Sequence, residues 1–239
     1  MKFFKVLGRK IANGFHFFWY CLLYLACKIF MPSKVYGNEN INKEDEAQVF
    51  ISNHLELYGP IVTHLHFPVK KKAVWIHEFM MDKNKIEEQM GYGFVELQFK
   101  WIPKFIKKGI VKMLKHFLVY VLKNRANGIA VSRDNTRGLV TTMKHTFEKI
   151  QEGRAIIIFP ELEYKEEGIG KVSSGFTSLA KYVYKKSQKR ISFYPVYLNK
   201  KRKKTYIGKP IIYDPENENY SEEIVEYITT TINKMSEIK

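Results

Sequence analysis

Cysteine is almost absent: the 239 residues contain two, Cys21 and Cys27, in one apolar stretch. That excludes a disulfide scaffold and a cysteine-based zinc cluster, and it fits a reducing compartment. Acid is scarce where base is dense. Forty Lys and Arg face 24 Asp and Glu, giving a formal charge of +16 and a pI near 9.6. The segments Met1–Lys10 and Lys100–Asn127 contain no acid at all. Such a charge needs an anionic neighbour: nucleic acid, an anionic membrane, or an acidic or phosphorylated partner. Neither a P-loop nor a Gly-x-Gly-x-x-Gly fingerprint is present. Finger spacing, an RNP-like strand and a helix-turn-helix are also missing, so no nucleic acid is expected as partner. Internal repeats and low-complexity linkers are lacking too.

What is present is apolar mass. Hydrophobic residues make up 45 % and aromatics 15 %, enough for a large core in one domain. Two parts are expected: an N-terminal membrane anchor helix over 1–34 and an α/β domain over 35–239. The first ten residues carry Lys2, Lys5, Arg9 and Lys10, and Ile11–Cys27 then runs 17 residues without a formal charge. As a helix that run is about 25 Å long, marginal against a hydrocarbon core of about 30 Å. If Lys28 snorkels, Ile29, Phe30 and Met31 lengthen it before Pro32. Bulky aromatics and the lack of a small-x-small site argue against a cleaved signal. Asn13 and His16 leave a buried core helix as the alternative. The favoured reading is an embedded or monotopic anchor at the cytoplasmic face of the cell membrane, contacting anionic lipid.

The remainder alternates between strand and helix patterns. Strands are expected at Ala47–Asn53, Ala73–His77, Ile129–Ser132, Ala155–Phe159, Ile191–Leu198 and Thr205–Ile207. Helices are expected over Asp134–Glu152, Ser174–Lys186 and Ser221–Ile238, the last with Ser221 as N-cap. This alternation predicts an α/β fold with a mixed, mainly parallel sheet flanked by helices. Lys100–Asn127 interleaves eight basic residues with apolar ones, which suits a basic amphipathic helix or helix pair broken at Gly109. An ordinary surface helix is the alternative. A second basic run, Lys200–Lys204, lies between two strands and reads as a solvated hairpin tip.

In open α/β sheets, sites form beyond the carboxyl ends of strands. Four such ends carry chemistry here. Asn53-His54 places a histidine after a strand, where it suits a general base. Gly128–Arg133 ends a strand in an arginine suited to phosphate. Phe159-Pro160-Glu161 follows a continuously apolar strand, and Pro195-Val196 lies inside another. His64 and His66 fall two apart on one helix and do not share a face, so no metal site is expected.

In their order along the chain, these blocks resemble those of the glycerolipid acyltransferase family, lysophosphatidate acyltransferase type. That family carries Asn-His-x4-Asp, Gly-x-x-hydrophobic-x-Arg, Phe-Pro-Glu-Gly-Thr-Arg and a hydrophobic-Pro-Val strand. Asn53-His54, Gly128–Arg133, Phe159–Glu161 and Tyr194–Val196 look like these blocks, and Tyr206–Pro210 looks like the family's Gly-Lys-Pro segment. There are two departures. The acid five residues after the histidine is Gly59 here, and Phe-Pro-Glu continues as Leu162-Glu163-Tyr164. Glu56 is the nearby carboxylate expected to take the orienting role in place of the missing acid; the alternative is that Glu56 faces solvent and the enzyme is slow or inactive.

The resemblance implies an acyltransferase of phospholipid biosynthesis. An acyl chain would pass from acyl-CoA or acyl-acyl carrier protein to the hydroxyl of a lysophospholipid such as 1-acylglycerol 3-phosphate, with no other cofactor. His54 and Glu56 would be catalytic, Arg133 would hold the acceptor phosphate and Glu161 its glycerol backbone. Lys123, Arg125 and Lys171 are candidate second phosphate ligands. The alternative is a catalytically degenerate member that binds lipid or acyl carrier without turnover.

Overall fold

The computed structural model describes residues 2–56, 58–89, 103–132, 136–163 and 165–238. The strands are β1 (Lys34–Tyr36), β2 (Ala47–Ser52), β3 (Lys72–His77), β4 (Gly128–Val131), β5 (Ala155–Ile158), β6 (Ile191–Asn199), β7 (Lys204–Ile207) and β8 (Ile211–Ile212). They form one sheet in the order β1-β7-β6-β2-β5-β3-β4, with β8 paired to the start of β6. The run from β6 to β4 is parallel, and β7 and β8 return antiparallel to β6. The expected α/β class and mainly parallel sheet are therefore observed.

The central strands carry no polar face because both faces are covered. Val49, Ile51, Ile156, Ile158 and Phe193 face one way and Phe50, Ile157, Tyr194 and Val196 the other, as strand alternation requires. The first face packs on α5 (Thr136–Gln151), α6 (Ser178–Ser187) and α7 (Tyr220–Ser236), through residues such as Met143, Leu179 and Ile228. The second packs on α2 (Tyr58–His66) through Tyr58 and Val62, with Met31 behind α1 (Lys2–Phe30). A small third cluster joins Ile86 of α3 (Lys83–Gln89) to Val111 and Val119 of α4 (Lys104–Tyr120).

Several local expectations need correction. Strands β1 and β8 are too short to show a period in sequence. Because β1 opens at Lys34 and pairs with β7, the last residue of the expected anchor segment belongs to the sheet. Gly109 does not break α4, which runs through it and continues as a π-helical turn at Val121–Arg125. Nothing lies within 4 Å of a Cβ built there, so a lone glycine among good helix formers costs only about 1 kcal/mol. Lys107 and Lys115 of this helix are buried rather than solvated. Residues 100–102 of the basic segment lie outside the described residues. Asn219, not Ser221, precedes the last helix. The Ser221 hydroxyl instead meets that of Thr177 at 2.7 Å, tying α7 to the turn before α6.

Candidate active site

The strand order sets the site. After β2 the chain leaves through α2 on one face, and after β5 it reaches α6 on the other. The neighbouring carboxyl ends of β2 and β5 are thus a topological switch point, where open α/β sheets bind ligands. His54 follows β2 and Glu161 follows β5, so the fold brings these two expected residues to the same crevice.

They are joined directly. The His54 backbone N–H donates to Glu161 Oε2 at 2.6 Å, and the Gly170 N–H donates to Oε1 of the same carboxylate at 2.9 Å. Gly170 returns on the far arm of a loop closed by the bridge between Glu161 and Val172. One carboxylate therefore fixes the histidine's backbone and closes the loop after β5. The His54 side chain is exposed, with its ring 5.2 Å from that of Phe159 in an edge-on contact.

On the other side, the fully buried Asn53 copies a strand pairing with its amide. Its Nδ2 donates to the Leu198 carbonyl at 3.1 Å and its Oδ1 accepts the Leu198 N–H at 2.8 Å. The residue before the histidine is so locked to β6. A buried amide left unpaired would cost about 1–3 kcal/mol, which is why an asparagine suits this position.

The loop then turns sharply. Leu55 and Glu56 have φ of 45° and 53°, a left-handed region that side-chain-bearing residues visit at a cost. Burial of the Leu55 side chain and the hydrogen bond from the Tyr58 N–H to the Leu55 carbonyl hold the turn. Glu56 is exposed, and among the described residues its carboxylate has no hydrogen bond or ion pair. Gly59 has a steric reason: a Cβ there would stand 2.0 Å from the His54 carbonyl oxygen. No side chain, acidic or otherwise, fits that position on this backbone. Tyr58 beside it is buried, which raises its hydroxyl pKa.

Arg133 lies outside the described residues; the strand that precedes it, β4, ends at Val131. Two of the candidate phosphate ligands are misplaced. Lys123 and Arg125 precede β4 and so stand at the amino edge of the sheet, away from His54. The Arg125 guanidinium lies instead over the rings of Phe17 and Tyr20, at 5.1 and 4.6 Å. Lys171, within the loop closed by Glu161, remains at the carboxyl edge; its carbonyl accepts the Leu162 N–H.

Two further motif blocks meet each other. Pro195 of β6 falls between the residues paired to β8 and those paired to β7, so its missing N–H breaks no ladder bond. Its carbonyl accepts the Gly208 N–H at 2.9 Å, and a Cβ on Gly208 would stand 2.7 Å from its ring. Sequence reasoning missed Gly170 and the role of Asn53, since a side chain bonding a distant backbone leaves no periodic signal. It also passed over His77, which ends β3 at the same edge of the sheet. Among the described residues no group of three or more His, Cys, Asp or Glu gathers to hold a metal.

No protein-family profile matches the chain, and no curated protein sequence matches it. Among solved structures, it is similar to the crystal structure of the 1-acyl-sn-glycerophosphate (LPA) acyltransferase PlsC from Thermotoga maritima. The identity is 18 %, the match covers 87 % of this chain and 74 % of that one, and the TM-score is 0.47.

Proposed function

We propose that the chain is a membrane-associated O-acyltransferase, moving an acyl chain from an acyl thioester to the hydroxyl of a lysophospholipid such as 1-acylglycerol 3-phosphate. The observation that carries this reading is the bond between the His54 amide and the Glu161 carboxylate. It joins two motif blocks, 107 residues apart, at the switch point of the sheet.

The chemistry follows from the residue types. His54 takes the proton of the acceptor hydroxyl as that oxygen attacks the thioester carbonyl carbon. The tetrahedral oxyanion collapses, the C–S bond breaks, and the proton passes from the imidazole to the departing thiolate. No covalent acyl-enzyme is formed. Glu56, exposed and unbonded among the described residues, turns onto the imidazole when substrate is bound, orienting it and favouring its protonated form. Glu161 sets the position of His54 and, through its remaining lone pairs, accepts a glycerol hydroxyl. Arg133, together with Lys171, holds the acceptor phosphate.

The N-terminal helix supports a membrane setting. No helix among the described residues is long and apolar enough to cross a bilayer. Along α1, however, Phe15, Phe18, Leu22, Leu25 and Ile29 all face outward. Their spacing of three and four makes one continuous apolar stripe, suited to lying in the interface at the cytoplasmic face.

The test is incubation of the protein with membranes, a labelled acyl thioester and lysophosphatidate. Labelled diacyl product is expected, falling about 10²–10⁴-fold in His54→Ala. No product from the parent, with His54→Ala indistinguishable, would leave the lipid- or carrier-binding alternative in its place. Glu56→Gln is expected to lower kcat with little change in KM. A Glu56→Gln protein as active as the parent would remove Glu56 from the mechanism.

A further inference from the structure

The amino edge of the sheet, opposite His54, gathers cations that take no part in the chemistry above. The segments that meet there are α1, the last turn of α2, the chain from Phe67 into β3, and the π-helical turn before β4. None of them contains an acid. The carboxylate next along this edge, Glu152, is already engaged by Lys149 and Arg154.

Two of these cations converge on one imidazole. The Tyr20 hydroxyl meets His64 Nε2 at 2.7 Å, and the Tyr24 ring stands 6.2 Å from the same imidazole. The Arg125 guanidinium lies 4.6 Å from the centre of the Tyr20 ring and 5.1 Å from that of Phe17. Lys72 opens β3, where Ala73 belongs to the first face of the sheet and Val74 to the second. Strand alternation therefore turns Lys72 to the second face, under α2. Burial first, then the charges of Lys72 and Arg125, hold the His64 pKa down to about 4. Both cations thus stand near a ring that stays neutral at pH 7. Like charges brought together with partial loss of hydration are unfavourable, and among the described residues neither Lys72 nor Arg125 has a carboxylate partner. The guanidinium also carries five N–H donors, more than the Tyr20 oxygen beside it can accept.

We infer that this cleft between α1, α2 and the start of β3 seats the phosphate of an anionic phospholipid headgroup, apart from the acceptor phosphate at the opposite edge. The inference deepens the membrane setting proposed above and rests on it. A guanidinium fork matches a pair of phosphate oxygens, and the Lys72 ammonium adds a point charge. The lipid source follows from α1. The helix that walls the cleft with Tyr20 and Tyr24 turns Phe18, Leu22 and Leu25 outward, and an interfacial helix of this kind lies at the depth of the headgroups. The anion that reaches the base of such a helix is the headgroup beside it.

The test compares Lys72→Gln combined with Arg125→Gln against a control of equal charge, Lys70→Gln combined with Lys71→Gln. Lys70 and Lys71 are exposed in the same loop. Calorimetry measures binding of monomeric dihexanoyl-phosphatidylglycerol and, separately, of inorganic phosphate. Sedimentation with phosphatidylcholine vesicles, with and without phosphatidylglycerol, runs in parallel. The Kd for the soluble lipid is expected to rise about tenfold in the cleft variant, the effect of losing about 1.4 kcal/mol of contact, and to stay unchanged in the control. Sedimentation with pure phosphatidylcholine should be kept by both, which shows that α1 is still seated. Arg125→Lys, which keeps the charge and loses the fork, should also weaken the soluble lipid. A Kd unchanged in the cleft variant, or raised equally in the control, overturns the seat. Inorganic phosphate bound as tightly as the lipid overturns the headgroup as its occupant. Soluble lipid bound through Lys72 and Arg125, without sedimentation on any vesicle, would keep the seat and remove the membrane setting. Sedimentation indifferent to the two substitutions, with no binding of the soluble lipid, would do the reverse.

Discussion

Gly59 stands where the family resemblance calls for an acid, and the carbonyl of His54 explains it. The left-handed turn at Leu55 and Glu56 brings that carbonyl within 2.0 Å of the place a Cβ would occupy. Restoring the acid should therefore do harm. Gly59→Asp is expected to lose about 1–3 kcal/mol in chemical denaturation, the usual cost of overpacking, and to gain no activity. A stable and faster Gly59→Asp protein would show that the turn is not built as described. Glu161 behaves in the opposite way, as a side chain with two jobs. Each of its oxygens already accepts one amide, while a carboxylate offers about four lone-pair sites. Glu161→Gln turns one acceptor into a donor facing an N–H. A loss of about 1.5–3 kcal/mol, typical of a hydrogen bond to a charged group, is expected together with a fall in kcat. A fall in kcat at full stability would confine Glu161 to substrate.

At the scale of elements, α1 is seated by its inward row of residues. Tyr20 meets the His64 Nε2 at 2.7 Å, the His66 Nε2 meets the Met31 carbonyl at 2.9 Å, and the His16 ring lies 5.4 Å from that of Tyr120. Two histidines that sequence left without a role are thus the seat of the N-terminal helix on α2. Burial, reinforced by the charges of Lys72 and Arg125, lowers the pKa of His64 to about 4. Lys72 is itself lowered to about 8 by burial. The rings of Tyr20 and Tyr24 also face His64. Because the folded pKa of His64 lies below its ordinary value of 6.5, the unfolded or undocked state takes up the proton first. The contribution of His64 is complete above pH 6.5 and is lost as pH falls toward 4. Protection factors along 16–31, with the intrinsic pH dependence of amide exchange divided out, should therefore fall between pH 7 and 4.5. Tyr20→Phe should lower them already at pH 7. Unchanged protection across that range would count against this seat.

At the scale of the whole molecule, the outward stripe of α1 is left uncovered by the described residues. Leu22 and Leu25 are 45 % and 58 % exposed, so changing them leaves the core alone. Burying a leucine contributes about 1.5–3 kcal/mol. Leu22→Asp with Leu25→Asp is expected to cut sedimentation with anionic vesicles by at least about tenfold, without altering the fold by circular dichroism. Equal partition of parent and variant would exclude this face as the membrane contact. The charge of +16 serves more than one purpose in this picture. Lys107 and Lys115 are buried within the domain, Arg125 rests on aromatic rings of α1, and Lys200–Lys204 stands at the site edge.

The amino-acid sequence alone determined the strands of the sheet's centre, the long helices, the α/β class and the positions of His54 and Glu161 at strand ends. Each is written locally, as a run, a period or a turn signal over neighbouring residues. Tertiary structure decided the rest. It made β2 and β5 neighbours, although residues 53–154 lie between them in the chain. It gave the Glu161 carboxylate its two amides, forbade a side chain at Gly59, and set the solvated hairpin tip at Lys200–Lys204 on the same edge of the sheet as His54. These depend on which strand lies beside which and on single atoms meeting across long stretches of chain, and no local pattern encodes such pairings.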